Sequence, residues 1–402
     1  MKKIIYIISL MLFISCSESK VDLNKDKDKE HIPVITKIAI LHTNDTHGDL
    51  SYFPKLKTVL DKLKTEVDDV FIFNAGDIFS GDPYTDTYKP QGYPMIDLMN
   101  DLNYSVSVIG NHDFDYSQEV LKERIEQSNS PFILANIDEA TLSFLNVKPY
   151  VILKAKNNIS LAVVGLLSAH PKTLEENIKN IIFSDPKEVI KDYINLGNDN
   201  TLILLSHLGY DNDLYYAQKY SEIDVIIGGH SHTKVFEPEI INNTLVTQAG
   251  SKGYYVGEII LVFEDNTLIK KTGRLIQLDT SINDDSIIKE KVDNYYNTPS
   301  LKEIIGKAGD TFNGKLVIAN LMSDSYRFEL NVDFGMMNSG GVRNDYIPKG
   351  DITREKVYQF DPFNNDLVII SLKTDTLLEI VKEKLRDDEN GLVLIFQDLI
   401  FY

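Results

Sequence analysis

The chain has 402 residues, of which 43% are hydrophobic and 25% are charged, which is a globular composition in a length that predicts two domains. The 60 acidic and 41 basic residues give a formal net charge of -19, which argues against a broad electrostatic hold on nucleic acid or anionic lipid. A small anionic substrate would therefore need a local source of positive charge, such as bound metal ions.

The first 16 residues have the pattern of an export signal. Met1, Lys2 and Lys3 precede an apolar run over 4–14, which is too short to span a bilayer. Cys16 is the only cysteine, which excludes an internal disulfide, and its place directly after the run resembles that of the lipidated cysteine of bacterial lipoproteins. The alternative is a buried apolar cysteine in an ordinary signal peptide. We therefore expect an exported protein that a lipidated Cys16 anchors to the bacterial cell envelope, in the outer membrane or periplasm.

A polar segment over 17–35, in which Lys and Asp alternate, has almost nothing to bury and is predicted to be a tether.

Over 36–283, six apolar runs of strand length recur, and their β-branched residues are typical of strands covered on both faces. The runs lie at 36–41, 70–73, 105–109, 160–164, 202–205 and 224–227. Helical patterns lie between them, including an apolar stripe over 56–67 and a capped start at Asp185 that would end at Gly197. Alternating strands and helices predict an α/β layer fold.

A second domain is expected after a polar, helix-compatible linker over 284–300. Strands are predicted at 333–337 and 367–371, and a helix is predicted at 376–386. These elements predict an α+β domain over 301–402.

Polar side chains follow the strands of the first domain at their carboxyl ends. They are Asp45, His47, Asp77, Asn111, His112, His207, His230 and His232. In an open α/β sheet the loops at the carboxyl ends of strands converge on one crevice, so five such loops would bring these residues together. Taken singly, an Asp after a strand is usually a helix cap, and a lone His is usually structural. Taken together, imidazole, carboxylate and amide groups suit borderline divalent ions such as Zn²⁺, Mn²⁺ or Co²⁺.

In this order, the motifs Asp-x-His, Gly-Asp, Gly-Asn-His, Ser-His and Gly-His-x-His resemble those of the calcineurin-like metallophosphoesterases. The resemblance implies a four-layer α/β/β/α sandwich that binds two divalent ions, which would be Zn²⁺, Mn²⁺, Co²⁺ or Mg²⁺. It implies that the two oxygens of Asp77 bridge the ions. It also implies that one ion is held by Asp45, His47 and His232, and the other by Asn111, His207 and His230.

The same resemblance gives His112 a catalytic role without metal binding. Its imidazolium would donate a hydrogen bond to the charge that develops on the phosphoryl oxygens, and Asp115 would hold its orientation. The alternative is that His112 forms only a structural hydrogen bond to a ligand loop.

Four longer segments, at 41–48, 74–77, 110–115 and 228–233, are similar to the exported 5′-nucleotidase and UDP-sugar hydrolase branch of this family. The similarity implies metal-dependent hydrolysis of a nucleoside 5′-monophosphate to nucleoside and phosphate. UDP-sugars and 2′,3′-cyclic nucleotides are alternative substrates. A lipid-anchored binding protein without turnover is the alternative outside the enzymes. We expect a monomer that binds a nucleotide and no nucleic acid.

The second domain of that branch binds the substrate, and the segment over 338–343 resembles its Gly-rich loop. Gly340 and Gly341 would allow close backbone approach, and Arg343 would bind a phosphate or carboxylate with a bidentate fork. Phe363 and Asn365 match the segment in which the aromatic ring stacks on the nucleobase and the amide contacts its edge. The alternatives are a surface ion pair for Arg343 and a core position for Phe363.

The second domain departs from the branch in two ways. The stretch over 306–319, where the branch usually has further arginines, offers only Lys307 and Lys315. The chain also ends at Tyr402, before the second stacking aromatic of the branch. An incomplete substrate domain predicts phosphate-ester cleavage with weakened discrimination between bases.

Overall fold

The computed structural model describes residues 32–338, 341–362, 366–384 and 394–396. The predicted signal, Cys16 and nearly all of the predicted tether lie outside the described residues, as do Gly340, Phe363 and Asn365. The roles proposed for those residues stay predictions.

Strands and helices alternate along most of the described chain. The strands are β1 (Ile35–Thr43), β2 (Asp69–Asn74), β3 (Val106–Val108), β4 (Phe132–Ile133), β5 (Tyr150–Lys154), β6 (Ser160–Leu167), β7 (Thr201–His207), β8 (Val225–Gly228), β9 (Glu239–Ile241), β10 (Thr244–Gln248), β11 (Tyr255–Glu264), β12 (Thr267–Gln277), β13 (Ile304–Ala308), β14 (Phe312–Asn313), β15 (Met336–Asn338), β16 (Tyr346–Ile347), β17 (Gly350–Thr353) and β18 (Leu394–Phe396). The helices are α1 (Phe53–Leu63), α2 (Pro83–Asp86), α3 (Tyr93–Leu102), α4 (Gln118–Gln127), α5 (Glu139–Leu145), α6 (Pro186–Val189), α7 (Tyr210–Lys219), α8 (Ser286–Tyr296), α9 (Lys315–Leu330), α10 (Arg354–Phe360) and α11 (Thr374–Lys384).

Two six-stranded sheets form the first domain. The strand order is β12-β11-β1-β2-β3-β4 in the first sheet and β5-β6-β7-β8-β10-β9 in the second. Strands β1 to β4 are parallel, as are β6, β7, β8 and β10, so their carboxyl ends lie at one edge of each sheet. All six strands predicted for this domain are present, as β1, β2, β3, β6, β7 and β8.

Side-chain alternation along β7 shows how the layers pack. Ile203 and Leu205 belong to the core that includes the first sheet, whereas Leu202 and Leu204 pack beneath the outer layer with Tyr216 of α7. Apolar residues of α1, α3 and α4 join the cluster of the first sheet. The strands are apolar on both faces because each face meets another layer. The predicted α/β/β/α sandwich is confirmed.

The second domain has an α+β architecture. It has the short antiparallel sheets β13-β17, β14-β16 and β15-β18, of which the last two contact α9, and its core includes Ile318, Val342 and Phe360. The predicted linker contains α8, whose first turn is capped by Asp285 and whose Ile288 packs on the first domain. Within the described part of the chain, no helix combines the length and apolar character that crossing a membrane requires.

The helix predicted from Asp185 to Gly197 is wrong in its extent. Its cap is present, because the Asp185 side chain accepts a hydrogen bond of 2.8 Å from the backbone N–H of Lys187. However, α6 ends at Val189, and two short 3-10 helices over 190–192 and 194–198 replace the rest. The stretch contains Asp, Tyr, Asn and Gly, which are weak helix formers.

The strand predicted at 367–371 is also wrong. These residues have no regular structure, and Val368 and Ile369 are 77% and 60% exposed. No strand among the described residues pairs with this segment, and strand formation depends on such pairing more than on composition. The strand predicted at 333–337 begins later, at Met336.

Candidate active site

The predicted ligand loops meet at one place, but two sheets supply them. The loops after β1, β2 and β3 belong to the first sheet, and those after β7 and β8 belong to the second. The prediction that the loops at the strand ends converge rested on a single open sheet, whereas the two sheets of the α/β/β/α sandwich supply the loops. The loops form two groups of ligand atoms, and the atoms of each group lie within 4.8 Å of one another. The groups are Asp45, His47 and His232, and Asp77, His207 and His230.

The two groups adjoin each other at His207. Its Nε2 atom lies 3.2 Å from Oδ2 of Asp77 and 4.0 Å from Oδ1 of Asp45. In the other group, Nε2 of His232 lies 3.3 Å from Oδ1 of Asp45 and 3.2 Å from Nε2 of His47. A shared carboxylate between two adjoining ion sites is the arrangement that two-metal hydrolases use. The bridging role of Asp77 remains a prediction.

Several of these ligands have a left-handed backbone, which is uncommon for residues other than glycine. The φ angles are 49° at Asp45, 48° at His47, 54° at Asp77, 77° at His230 and 54° at His232. Such conformations cost about 1–3 kcal/mol each and occur where the surrounding structure enforces them. Here two backbone hydrogen bonds join the loop after β1 to the loop after β2. The N–H of Asp45 donates to the carbonyl oxygen of Gly76 at 2.9 Å, and the N–H of His47 donates to that of Asp77 at 3.1 Å.

Backbone carbonyls fix the tautomers of two imidazoles. Nδ1 of His47 lies 3.0 Å from the carbonyl oxygen of Ser80, and Nδ1 of His207 lies 2.7 Å from that of Ala75. Each Nδ1 must donate to its carbonyl, so each Nε2 is the ring nitrogen left to face the site, where it can bind a metal ion once it has no proton. A second hydrogen bond of this kind is how metal-binding histidines are oriented.

The residues of the site fit two divalent cations. Nε2 of His207 is buried and makes no hydrogen bond, although it lies close to Asp77. Asp45 and Asp77 are 0% and 1% exposed, and buried carboxylates are costly unless a cation neutralises them. Burial alone would lower the pKa of His207, but the Asp77 and Asp45 carboxylates raise it to about 10. Without metal, His207 therefore carries an extra proton, and this positive charge lies where a metal ion would be bound.

Asn111 is oriented by a loop that the sequence did not indicate. Its Nδ2 donates to the carbonyl oxygen of Lys172 at 2.9 Å, and its Oδ1 lies 2.9 Å from Nδ1 of His230. The amide oxygen therefore faces the second ligand group, as a metal ligand would. Burial and the charge of His207 lower the pKa of His230 to about 4, and Lys172 adds to this effect. His230 is thus neutral at pH 7, which is the form that binds metal.

His112 lies beside the ligand groups and contacts Asp115. Nδ1 of His112 donates to Oδ2 of Asp115 at 2.8 Å, and the hydroxyl of Thr173 donates to Oδ1 of Asp115 at 2.8 Å. Burial opposes a charge on His112, but Asp115 and Asp77 raise its pKa above the usual value. The His112 ring centre is 5.2 Å from that of His47. The geometry suits the predicted imidazolium donor.

A cavity of about 530 Å³ opens beside His112 and Asp115. Its other lining residues are Ser80, Asp86, Gln91, Tyr116, Lys172, Thr173, Leu174 and Pro362. Pro362 belongs to the second domain, so the two domains enclose the space next to the ligand groups. This is where a substrate attached to a phosphoryl group would lie.

Arg343 faces the site from the second domain. Burial lowers its pKa, and the carboxylates that act against this effect are Asp77, Asp115 and Asp45 of the site. Its backbone N–H donates to the carbonyl of Phe360 at 3.1 Å. The predicted contact between Arg343 and the substrate stays a prediction. Gly341 lies in the same loop and is buried.

Asp113 holds two ligand loops together, and the sequence reasoning missed this role. Its buried carboxylate accepts hydrogen bonds from the backbone N–H groups of Asp77, Ile78, Phe79 and Gly110, at 3.1, 2.7, 3.2 and 2.7 Å. Asp113 lies within the quoted segment 110–115, so the similarity of that segment to the family marked the residue. Only the fold shows which backbone groups it binds.

Asn44 and Gln248 hold the remaining ligand loops. Nδ2 of Asn44 donates to Oδ2 of Asp45 and to the carbonyl of Gly250, both at 2.6 Å. Nε2 of Gln248 donates to the carbonyl of Gly229 at 2.8 Å, and its Oε1 accepts from Ser231 at 2.9 Å. Asn44 lies within a quoted motif. Gln248 lies outside the quoted motifs, and no local pattern marks its role.

Comparison with protein-family models agrees with this geometry. Residues 38–234 match the calcineurin-like phosphoesterase model, and residues 304–394 match the 5′-nucleotidase C-terminal domain model. The matched ranges contain all seven predicted metal ligands and, in the second domain, Arg343. The second-domain match is partial.

Curated relatives and solved structures are similar over most of the chain. A trifunctional nucleotide phosphoesterase of Bacillus subtilis is 27% identical over 92% of this chain, but the chain spans only 29% of that protein's length. A 5′-nucleotidase of Vibrio cholerae is 29% identical, covering 85% of this chain and 74% of its own. The structure of a 5′-nucleotidase precursor from Thermus thermophilus superimposes with a TM-score of 0.78 and 25% identity, covering 90% of this chain and 81% of that one.

Proposed function

The chain belongs to the calcineurin-like phosphoesterase family, and on this basis we propose that it is a metal-dependent hydrolase of nucleoside 5′-monophosphates. The products would be nucleoside and phosphate. The relatives named 5′-nucleotidases support this substrate class. The reaction would take place at the cell envelope and release nucleosides for uptake.

One observation carries the proposal. Two adjoining groups of ligand atoms lie beside a His112–Asp115 pair, and a cavity of about 530 Å³ opens next to that pair. The ligands would hold the ions, the pair would contact the phosphoryl group, and the cavity would receive the substrate. Each part has a place in phosphate-ester hydrolysis.

The side chains have separate roles in the proposed mechanism. When bound, two divalent ions would supply a water nucleophile at neutral pH and neutralise charge on the phosphoryl oxygens. Asp45, His47 and His232 would hold one ion, Asn111, His207 and His230 would hold the other, and Asp77 would bind both. His112, kept as imidazolium by Asp115, would donate a hydrogen bond to a phosphoryl oxygen. Arg343 would bind the substrate from the second domain and fix its orientation.

Removal of metal should abolish the activity. Protein lacking residues 1–16 is treated with a chelator and then reconstituted with Zn²⁺, Mn²⁺, Co²⁺ or Mg²⁺. We expect no phosphate release from AMP before reconstitution, and equal amounts of adenosine and phosphate after it. A higher kcat/KM for UDP-glucose or 2′,3′-cyclic AMP than for AMP would replace the proposed substrate class. Nucleotide binding without turnover with any of the ions would favour the binding-protein alternative.

We also propose that a lipid on Cys16 anchors the protein to the cell envelope. The proposal is supported by the charged start, the apolar run over 4–14 and the position of the cysteine. Mass spectrometry of the mature amino terminus is expected to find a diacylated Cys16, and a Cys16→Ser variant should lose membrane association. A mature amino terminus at another residue would contradict the proposal.

A further inference from the structure

The loop after β6 contributes to the candidate active site, although no sequence motif marks it. Three hydrogen bonds fix it there. The carbonyl of Lys172 accepts from Asn111 Nδ2 at 2.9 Å, the hydroxyl of Thr173 donates to Asp115 Oδ1 at 2.8 Å, and Asn177 Nδ2 donates to the Asp115 carbonyl at 3.0 Å. The backbone of Lys172 is therefore held next to a predicted metal ligand and beside the His112–Asp115 pair.

The side chain of Lys172 is available to a ligand in the cavity. Lys172 is exposed and lines the cavity together with His112 and Asp115. It has no ion-pair partner among the described residues, whereas Lys179 of the same loop pairs with Glu176 at 3.5 Å. The positive charge of Lys172 also contributes to the lowered pKa of His230. A lysine without a counter-ion at the edge of an acidic site can bind an anion.

The charges around the cavity explain why such a lysine would matter. Asp115 lines the cavity, as does Asp86, whose pKa burial raises to about 7, and the whole chain has a net charge of -19. An anionic substrate must approach this negative field. A phosphate monoester near pH 7 carries about two negative charges, one more than a phosphodiester, so it gains more from each additional cation.

The described part of the second domain places few cations near this cavity. Arg343 faces the site, but 306–319 contains only Lys307 and Lys315 as basic residues. Lys307 lies on β13 and Lys315 begins α9, and neither lines the cavity beside His112. Lys172 of the first domain therefore supplies a positive charge at the cavity beside His112, where the described part of the second domain supplies few.

We propose that Lys172 binds the terminal phosphate of the substrate and makes the site favour doubly charged phosphate monoesters over singly charged phosphodiesters. This inference rests on the proposed function for its substrate class. Lys172 and Arg343 would contact the substrate from different domains. The ammonium would bind as a point charge, and the guanidinium as a planar fork.

The test compares three variants of the full chain, purified in detergent and loaded with metal. Lys172→Gln removes the charge but keeps most of the length, Lys172→Arg keeps the charge, and Lys179→Gln is the matched control on the same loop. With Lys172→Gln we expect KM for AMP to rise about 10-fold, as for the loss of a charge-assisted hydrogen bond, with kcat little changed. KM for bis(p-nitrophenyl) phosphate should rise much less. Lys172→Arg should retain most of the affinity, and Lys179→Gln should match the wild type.

Calorimetry with inorganic phosphate separates this inference from the proposed function. Phosphate should bind the metal-loaded Lys172→Gln variant about 10-fold more weakly than the wild type, whether or not AMP is a substrate. If the wild type does not hydrolyse AMP but this difference is found, the proposed function fails and the phosphate contact stands. Equal increases in KM for both esters, a loss confined to kcat, or unchanged phosphate binding would each overturn the inference.

Discussion

Asp77→Asn is expected to lower kcat/KM for AMP at least about 100-fold, because loss of even an outer partner of a metal site often costs 10–100-fold. Asp77 is predicted to serve both ions, and its Oδ2 lies 3.2 Å from Nε2 of His207 in the second ligand group. Asparagine keeps the shape of the side chain. It removes the negative charge and one of the two ligand oxygens, so the ions lose their shared ligand.

Metal binding and stability show whether the loss arises at the ions. Metal at 100 times its Kd should stabilise the folded wild type by about 2.7 kcal/mol, and Asp77→Asn should lose most of this increment. Burial alone would raise the pKa of Asp77, but His207 lowers it well below its usual value, so the metal-free carboxylate is an ion-pair partner of His207. The metal-free variant should therefore unfold at a lower temperature than the metal-free wild type, because His207 loses that partner. Asp185→Asn, at the cap of α6, is the matched control. Equal rates for Asp77→Asn and the wild type would refute the metal-dependent mechanism.

The metal ligands could be predicted from the sequence because each one lies at the end of an apolar strand or within four residues after it. Asp45 follows β1, Asp77 follows β2 and His207 ends β7, and the two-faced apolar character of these strands marks them as buried. Their spatial grouping was harder to predict. A chain pattern gives the order of strands but does not show that β7 belongs to a different sheet from β1.

The supporting residues could not be predicted, because their role depends on distant contacts. Gln248 reaches the loop of His230 and His232 only after β10 is placed beside β8. Thr173 reaches Asp115 across 58 positions of sequence. Neither residue lies at a spacing that a local motif could reveal.

The second domain was predicted less well than the first for a related reason. The segment over 367–371 is apolar and β-branched, but a strand also needs a neighbour, and none of the described strands pairs with it. In the first domain every predicted strand has two sheet neighbours. Composition was sufficient to predict the strands of the first domain because each of them has a neighbouring strand on both sides.

His112→Ala is expected to lower kcat for AMP about 100- to 1,000-fold, as for the loss of one donor to developing charge. The metal content should stay unchanged, because the backbone N–H of His112 donates to Oδ1 of Asp77 at 2.8 Å, and alanine keeps that N–H. Asp115→Asn should lower kcat less. It should have no further effect in the His112→Ala background if Asp115 acts through the imidazole. His170→Ala, an exposed histidine in the loop after β6, is the control.

The leaving group distinguishes two roles for the His112 imidazolium. If it neutralises a phosphoryl oxygen, then His112→Ala should slow AMP and p-nitrophenyl phosphate by similar factors, because both esters develop the same charge there. If it protonated the departing oxygen, the loss would be far larger for AMP, since p-nitrophenolate leaves readily without a proton. We expect similar factors, because Asp115 holds Nδ1 at 2.8 Å and the ring lies beside the ligand groups, where the phosphoryl oxygens would be bound. A loss confined to AMP would instead make His112 a general acid.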